Sequence, residues 1–151
     1  MSALTTARDT PMRAHEGPTQ IAAREVKDGV VIWSGGIVVL EHGQATPARS
    51  APGLVVLGVA RGGVDNRTVP IVAKTPKRRV SVVSGVAQFE NSAGGDAIGA
   101  GDVGAVCYLV DDRTLARTDG AGSRSPAGVV QEVSLNSRVW VDLGANPAVL
   151  T

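Results

Sequence analysis

Apolar positions in this chain fall in short, valine-rich runs cut by glycine, proline and acidic turns, a pattern that predicts strands rather than helices. Gln20 to Val26 is a weak strand candidate and Val30-Val31-Ile32-Trp33 a good one. Gly35-Gly36 breaks the run, and Ile37 to Leu40 reads as a short buried strand. Glu41-His42-Gly43 makes a turn and Gln44 to Ala48 a polar return. Beyond Ser50-Ala51-Pro52-Gly53, Leu54 to Ala60 reads as a central strand. Gly62-Gly63 and Asp65-Asn66-Arg67 predict turns before Val69-Pro70-Ile71-Val72, where Pro70 cannot donate to a ladder and so marks an edge strand or a strand end. Arg79 to Val83 and Gly85 to Phe89 alternate as strands of a half-buried sheet do.

The second half is denser in signals. A small-residue loop, Asn91 to Gly104, leads into the strand-like run Ala105 to Val110, stopped by Asp111-Asp112. A polar strand, Arg113 to Thr118, the turn Asp119-Gly120 and the loop Ser123 to Pro126 follow. Gly128 to Val133 and Arg138 to Leu143 flank Leu135-Asn136-Ser137 as a hairpin. In its last strand Val139, Val141 and Leu143 share one face, while Trp140 lies on the other with Arg138 and Asp142. An aromatic on that polar face predicts a second layer or a subunit neighbour over it.

The two halves also echo one another. Ile37 to Leu40, turn, return, Ala51-Pro52-Gly53 and a strand ending Gly58-Val59-Ala60 parallel Ala105 to Val110, turn, Arg113 to Thr118, Ser125-Pro126-Ala127 and Gly128-Val129-Val130. The offset is about 70 residues, longer than solenoid periods. Either two similar hairpin-plus-strand units pack in one sandwich or barrel, or valine-rich strands resemble one another by chance. The fold expected is all-β: a small sandwich or barrel built from hairpins over residues 19–151, preceded by an N-terminal arm over residues 1–18.

Composition narrows the partners. With 151 residues the chain suits one domain, and at 3% aromatics Val, Ile, Leu and Ala must fill its interior. A formal net charge of +1 argues against a nucleic-acid partner. The lone Cys107 excludes an internal disulfide framework, as suits a reducing cytoplasm. The charged N-terminus lacks the apolar core of a signal peptide, and no run reaches the length of a membrane span. The arm is polar and without periodicity, which predicts a flexible tail in the free protein, or a segment that orders on a neighbour through Leu4, Arg8, Met12 and Arg13.

No catalytic, cofactor or metal site is expected. Gly99-Ala100-Gly101-Asp102-Val103-Gly104 matches the dinucleotide fingerprint, but that chemistry needs a strand before and a helix after, and neither is predicted. Cys107 sits mid-strand, where a buried thiol acts as a small hydrophobe. His15 lies in the arm and His42 in a turn, and with one cysteine they form no zinc motif. Asp96, Asp102, Asp111, Asp112 and Asp119 fit no calcium loop and read as turn caps. Lys74, Lys77, Arg78 and Arg79 form a basic cluster, read as a solvated loop or a patch facing an acidic protein neighbour.

The habits of Asn91-Ser92-Ala93-Gly94-Gly95-Asp96-Ala97-Ile98, Asp102-Val103-Gly104, the run from Cys107 to Gly120 and Arg124-Ser125-x-Ala127-Gly128 resemble tailed-bacteriophage virion proteins. The closest class is the capsid-cement, or head-decoration, proteins. The resemblance is strong over Gly85 to Leu143, weaker over Val26 to Ile71, and absent over Met1 to Gly17. It implies a non-enzymatic protein made in the host cytoplasm and placed on the outer capsid surface. Its partners would be the major capsid protein and itself, as a homotrimer, with no nucleic acid and no membrane involved. On this expectation Leu4, Arg8, Met12 and Arg13 contact the capsid and Trp140 lies in a subunit interface. A head fibre or spike base that displays a surface is the alternative, and a small hydrolase or nucleotide-binding enzyme a remote third.

Overall fold

The computed structural model describes residues 3–13, 20–67 and 78–143. It is all-β. In chain order the strands are β1 (Gln20–Glu25), β2 (Val31–Ile32), β3 (Ile37–Glu41), β4 (Gln44–Pro47), β5 (Val55–Ala60), β6 (Val64–Asp65), β7 (Arg79–Val83), β8 (Val86–Asn91), β9 (Val106–Leu109), β10 (Thr114–Ala116), β11 (Pro126–Val133) and β12 (Val139–Asp142). The sequence-predicted strand at Val69 to Val72, along with Lys74, Lys77 and His15, lies outside the described residues.

Ten of these strands build two five-stranded units of the same connectivity, and β2 pairs antiparallel with β6 as a separate two-stranded sheet. The second unit is a closed barrel of order β10-β8-β12-β11-β9, in which only β8 and β10 run parallel. The first is a sheet of order β1-β7-β5-β3-β4, antiparallel throughout. Its two edges meet at a parallel bridge, Val26 to Ala45, where the Lys27 amide donates to the Ala45 carbonyl at 2.9 Å. Laid side by side, β1, β3, β4, β5 and β7 take the places of β8, β9, β10, β11 and β12, down to the parallel closure. The repeat legible in the sequence is thus a repeat of topology. Adjacent in sequence, β7 and β8 are both partly buried strands but belong to different units and do not pair.

Burial explains why the two units read differently. Val38, Ala45, Leu57, Ala60, Val80 and Val82 gather with Val26 and Ile32 as the core of the first unit. The intervening residues Ile37, Val39, Val56 and Val59 instead join the larger core of the second, beside Phe89, Leu109, Leu115, Val139 and Val141. Strands β3 and β5 are therefore buried on both faces, which is why they appear as unbroken apolar runs rather than alternating ones. Burying a side chain of the Val or Ile class contributes about 1.5–3 kcal/mol. Buried Ser125 ties the two units together: it accepts from the Leu54 amide at 2.9 Å and donates to the Ala51 carbonyl at 2.6 Å.

Candidate functional site

Two surfaces stand out, one at an end of the barrel and one along the seam. Strand directions place the β8–β9 loop, the end of β10 and the β11–β12 turn at the same end of the second unit. The loop carries the glycine-rich stretch and forms two single 3-10 turns, Gly94–Asp96 and Ala100–Asp102. No helix follows Gly99 to Gly104; the chain runs straight into β9, so the dinucleotide geometry does not arise.

Side chains hold this loop in shape. Asn91 Oδ1 accepts from the Ile98 amide at 2.8 Å, and its Nδ2 donates to the Ile98 carbonyl at 2.9 Å. Asp102 accepts from the Gly99 amide at 2.8 Å. Asp96 accepts from the Thr118 hydroxyl and from Arg124 at 3.3 Å; these partners, Thr118 first, hold its carboxyl below the usual carboxylate range. Ile98 is buried as the loop's anchor, whereas Val103 stands 50% exposed. At the neighbouring β11–β12 turn Leu135 is fully exposed. Asn91, Asp96 and Asp102 thus brace the loop, and two apolar side chains, Val103 and Leu135, are exposed at that end.

The second surface is made by the arm. Residues 3–13 lie along the body. Strand β10 covers β8 only at Glu90 and Asn91, which leaves the outer edge of Val86 to Gln88 open. The arm fills it: the Gln88 amide donates to the Pro11 carbonyl and the Arg13 amide to the Val86 carbonyl, each at 3.0 Å. Further back, the Arg8 amide donates to the Ser34 carbonyl at 2.7 Å, and the Leu4 amide donates to Asp112 Oδ1 at 2.8 Å. The Arg8 guanidinium donates to the Gln88 carbonyl at 2.9 Å and lies over the Phe89 ring. Gly35, at φ +88°, is required here, because a Cβ would lie 1.8 Å from the Arg8 carbonyl oxygen.

Arg13 closes the arm. Its guanidinium stands 4.1 Å from the Trp140 ring centroid and 2.5 Å from a Glu132 carboxylate oxygen. Arg13 of this chain's own arm thus lies against the aromatic on the polar face of β12, and Trp140 stays half-buried. Of the four predicted arm contacts, Leu4 and Arg8 are turned partly inward, while Met12 and Arg13 keep exposed surface. Beside the arm a shallow cavity of about 320 Å³ includes Arg8, Glu90, Arg113 and Arg138 in its lining.

The remaining candidates fall in ordinary places. Cys107 is fully buried, donates to the Gly128 carbonyl at 3.7 Å, and burial pushes its thiol up to about 12. His42 forms the β3–β4 turn at φ +50°. Asp111 caps its own turn, accepting from the Arg113 and Thr114 amides. Asp112 departs from the turn-cap reading: it is 3% exposed and faces the arm. Arg78 and Arg79 are exposed. Among the described residues no three His, Cys, Asp or Glu side chains group as metal ligands, and no helix is long and apolar enough to cross a membrane. Sequence reading missed Asp112, Gly35 and Asn91 as organising residues. The doubled Gly35-Gly36 and Asp111-Asp112 were the available signals, but each is also an ordinary strand stop.

No protein-family model, curated protein or solved structure matches this chain.

Proposed function

We propose that this chain is a bacteriophage capsid-decoration protein, binding the outer surface of an assembled head and strengthening contacts between capsomers. The observation that carries the reading is the braced loop from Asn91 to Gly104. Asn91, Ile98 and Asp102, which are among the residues of the resemblance, hold it, and Val103 and Leu135 are exposed at the same barrel end. Exposed apolar side chains on a fixed frame suit protein contact, since little ordering entropy is left to lose on binding. A protein that binds only the assembled shell stabilises it by mass action, and many copies add avidity without any catalytic group. On this reading the chain acts by position, and its partners are the major capsid protein and, as a homotrimer, itself.

The test is co-sedimentation of the purified chain with assembled shells of the phage or prophage that encodes it. Saturable binding is expected, along with loss of binding in a Val103→Asp, Leu135→Asp double variant whose unfolding midpoint is unchanged. Shells lacking the protein should leak DNA at lower temperature. Failure to bind shells overturns the reading, and unaltered shell robustness with reduced infectivity moves it to surface display.

A further inference from the structure

We propose that the arm is an exchangeable strand: residues 3–13 of one copy dock in the groove of a second copy, making there the contacts they make at home. The bonds that hold the arm go to Ser34 and the Gly35 carbonyl in the first unit and to Val86, Gln88, Glu90, Asp112 and Glu132 in the second, with the missing side chain of Gly35 clearing the path. Among the described residues these contacts go to strands other than β1, the strand into which the arm leads. Docking is thus self-contained, and the groove reads the arm without regard to which chain it arrives on. The fit is specific to this segment, because the Arg8 carbonyl needs the missing side chain of Gly35 and Arg13 needs both Trp140 and Glu132. That specificity makes a second copy of this chain the matching partner.

Six residues, 14–19, separate Arg13 from Gln20, which at full extension sets a reach of about 24 Å between them. Identical contacts in cis and in trans leave concentration to decide. A short tether presents a chain's own arm at an effective concentration in the millimolar range, so dilute copies keep their arms and crowded copies trade them. Exchange of an identical element is a low-cost route to an oligomer.

Charge reversal at the Arg13–Glu132 pair tests this on full-length protein without any capsid, so its outcome is independent of the decoration reading. Arg13→Glu and Glu132→Arg each place like charges at the two positions within one chain. Mixed together, the arm of the first meets an opposite charge only on the second. Native mass spectrometry at several hundred micromolar should show a one-to-one heterodimer about 5-fold above either variant's homodimer, the factor expected from roughly 1 kcal/mol of exposed pairing. Adding Gly35→Val to both chains closes both grooves and should remove the heterodimer, whereas closing one alone leaves Arg13 of the second chain free to meet Glu132 of the first. If circular dichroism shows that these chains are unfolded, Asp112→Ala in both replaces Gly35→Val. No heterodimer excess, or an excess that survives the closed grooves in folded chains, overturns the proposal.

Discussion

Gly58 and Gly128 hold the same post in the two units. Each follows a bulged residue, Leu57 in β5 and Ala127 in β11, where the strand slips by one position against β3 or β9. Each also lies under the strand on its other side. A Cβ would stand 2.4 Å from the Val83 carbonyl oxygen at Gly58 and 2.4 Å from the Asp142 carbonyl oxygen at Gly128. A bulge bends and twists its strand, and a five-stranded sheet must turn sharply to bring its edges together. The two glycines let that corner close without a clash.

Gly58→Ala and Gly128→Ala should therefore destabilise by similar amounts, about 2–3 kcal/mol each, by forcing backbone apart inside a packed unit. Gly43, at φ +81° with open space around it, is the control; its Ala variant should lose only about 1 kcal/mol from conformational strain. Denaturant unfolding of the three variants checks the ranking. Equal losses at all three positions would reduce the corner to a turn.

Cys107 should stay unreactive toward iodoacetamide in the folded protein at pH 8 and react on unfolding. Its folded value of about 12 against an ordinary 9.0 means the native chain keeps a proton that the unfolded chain releases between those limits. Stability should fall as pH rises through that window, by no more than about 1.4 kcal/mol per pH unit from this group. Cys107→Ala should remove that slope at a packing cost of about 1 kcal/mol. Urea titrations at pH 8 and pH 10.5 on both proteins test the difference.

Asp112 anchors the arm, and burial raises its carboxyl above the ordinary 3.8. Between 3.8 and that higher value the native chain holds a proton the unfolded chain has lost, so this group's contribution to stability grows as pH falls. Asp112→Asn keeps an acceptor for the Leu4 amide, abolishes this dependence and should be at least as stable at pH 7. Asp112→Ala removes the acceptor and should speed hydrogen exchange at Leu4. Protection at Leu4 equal in both variants would show that the arm is held without Asp112.

Thr114 is fully buried in β10 and its hydroxyl has no hydrogen-bond partner. Thr114→Val swaps that group for a methyl of similar size, so it should be neutral or stabilise by about 1 kcal/mol. A thermal midpoint that falls by several degrees would mean the hydroxyl has a use the folded chain conceals.

Much of the architecture was local and so legible in the residues. Val-rich runs between Gly, Pro and Asp turns located eleven of the twelve strands, from Gln20–Glu25 to Val139–Asp142, to within a residue or two, with the β9–β10 and β11–β12 hairpins among them. Val139, Val141 and Leu143 share a buried face as their spacing required, and Cys107 is the core residue that its place in a strand implied. Even the echo of Gly58-Val59-Ala60 in Gly128-Val129-Val130 was present, because a bulge and a corner impose the same residue twice. What tertiary structure alone decided is long-range. Closure into five-stranded units depends on which edges meet, as Val26 does with Ala45 and Thr114 with Glu90, and no local pattern encodes that choice. The short β6 escaped notice because Val64–Asp65 has too few residues to show a period. The arm's site was hidden for a related reason. Its backbone pairs with an edge that exists only once β8 has been left uncovered by β10, and Arg13 finds Trp140 only across the whole length of the fold.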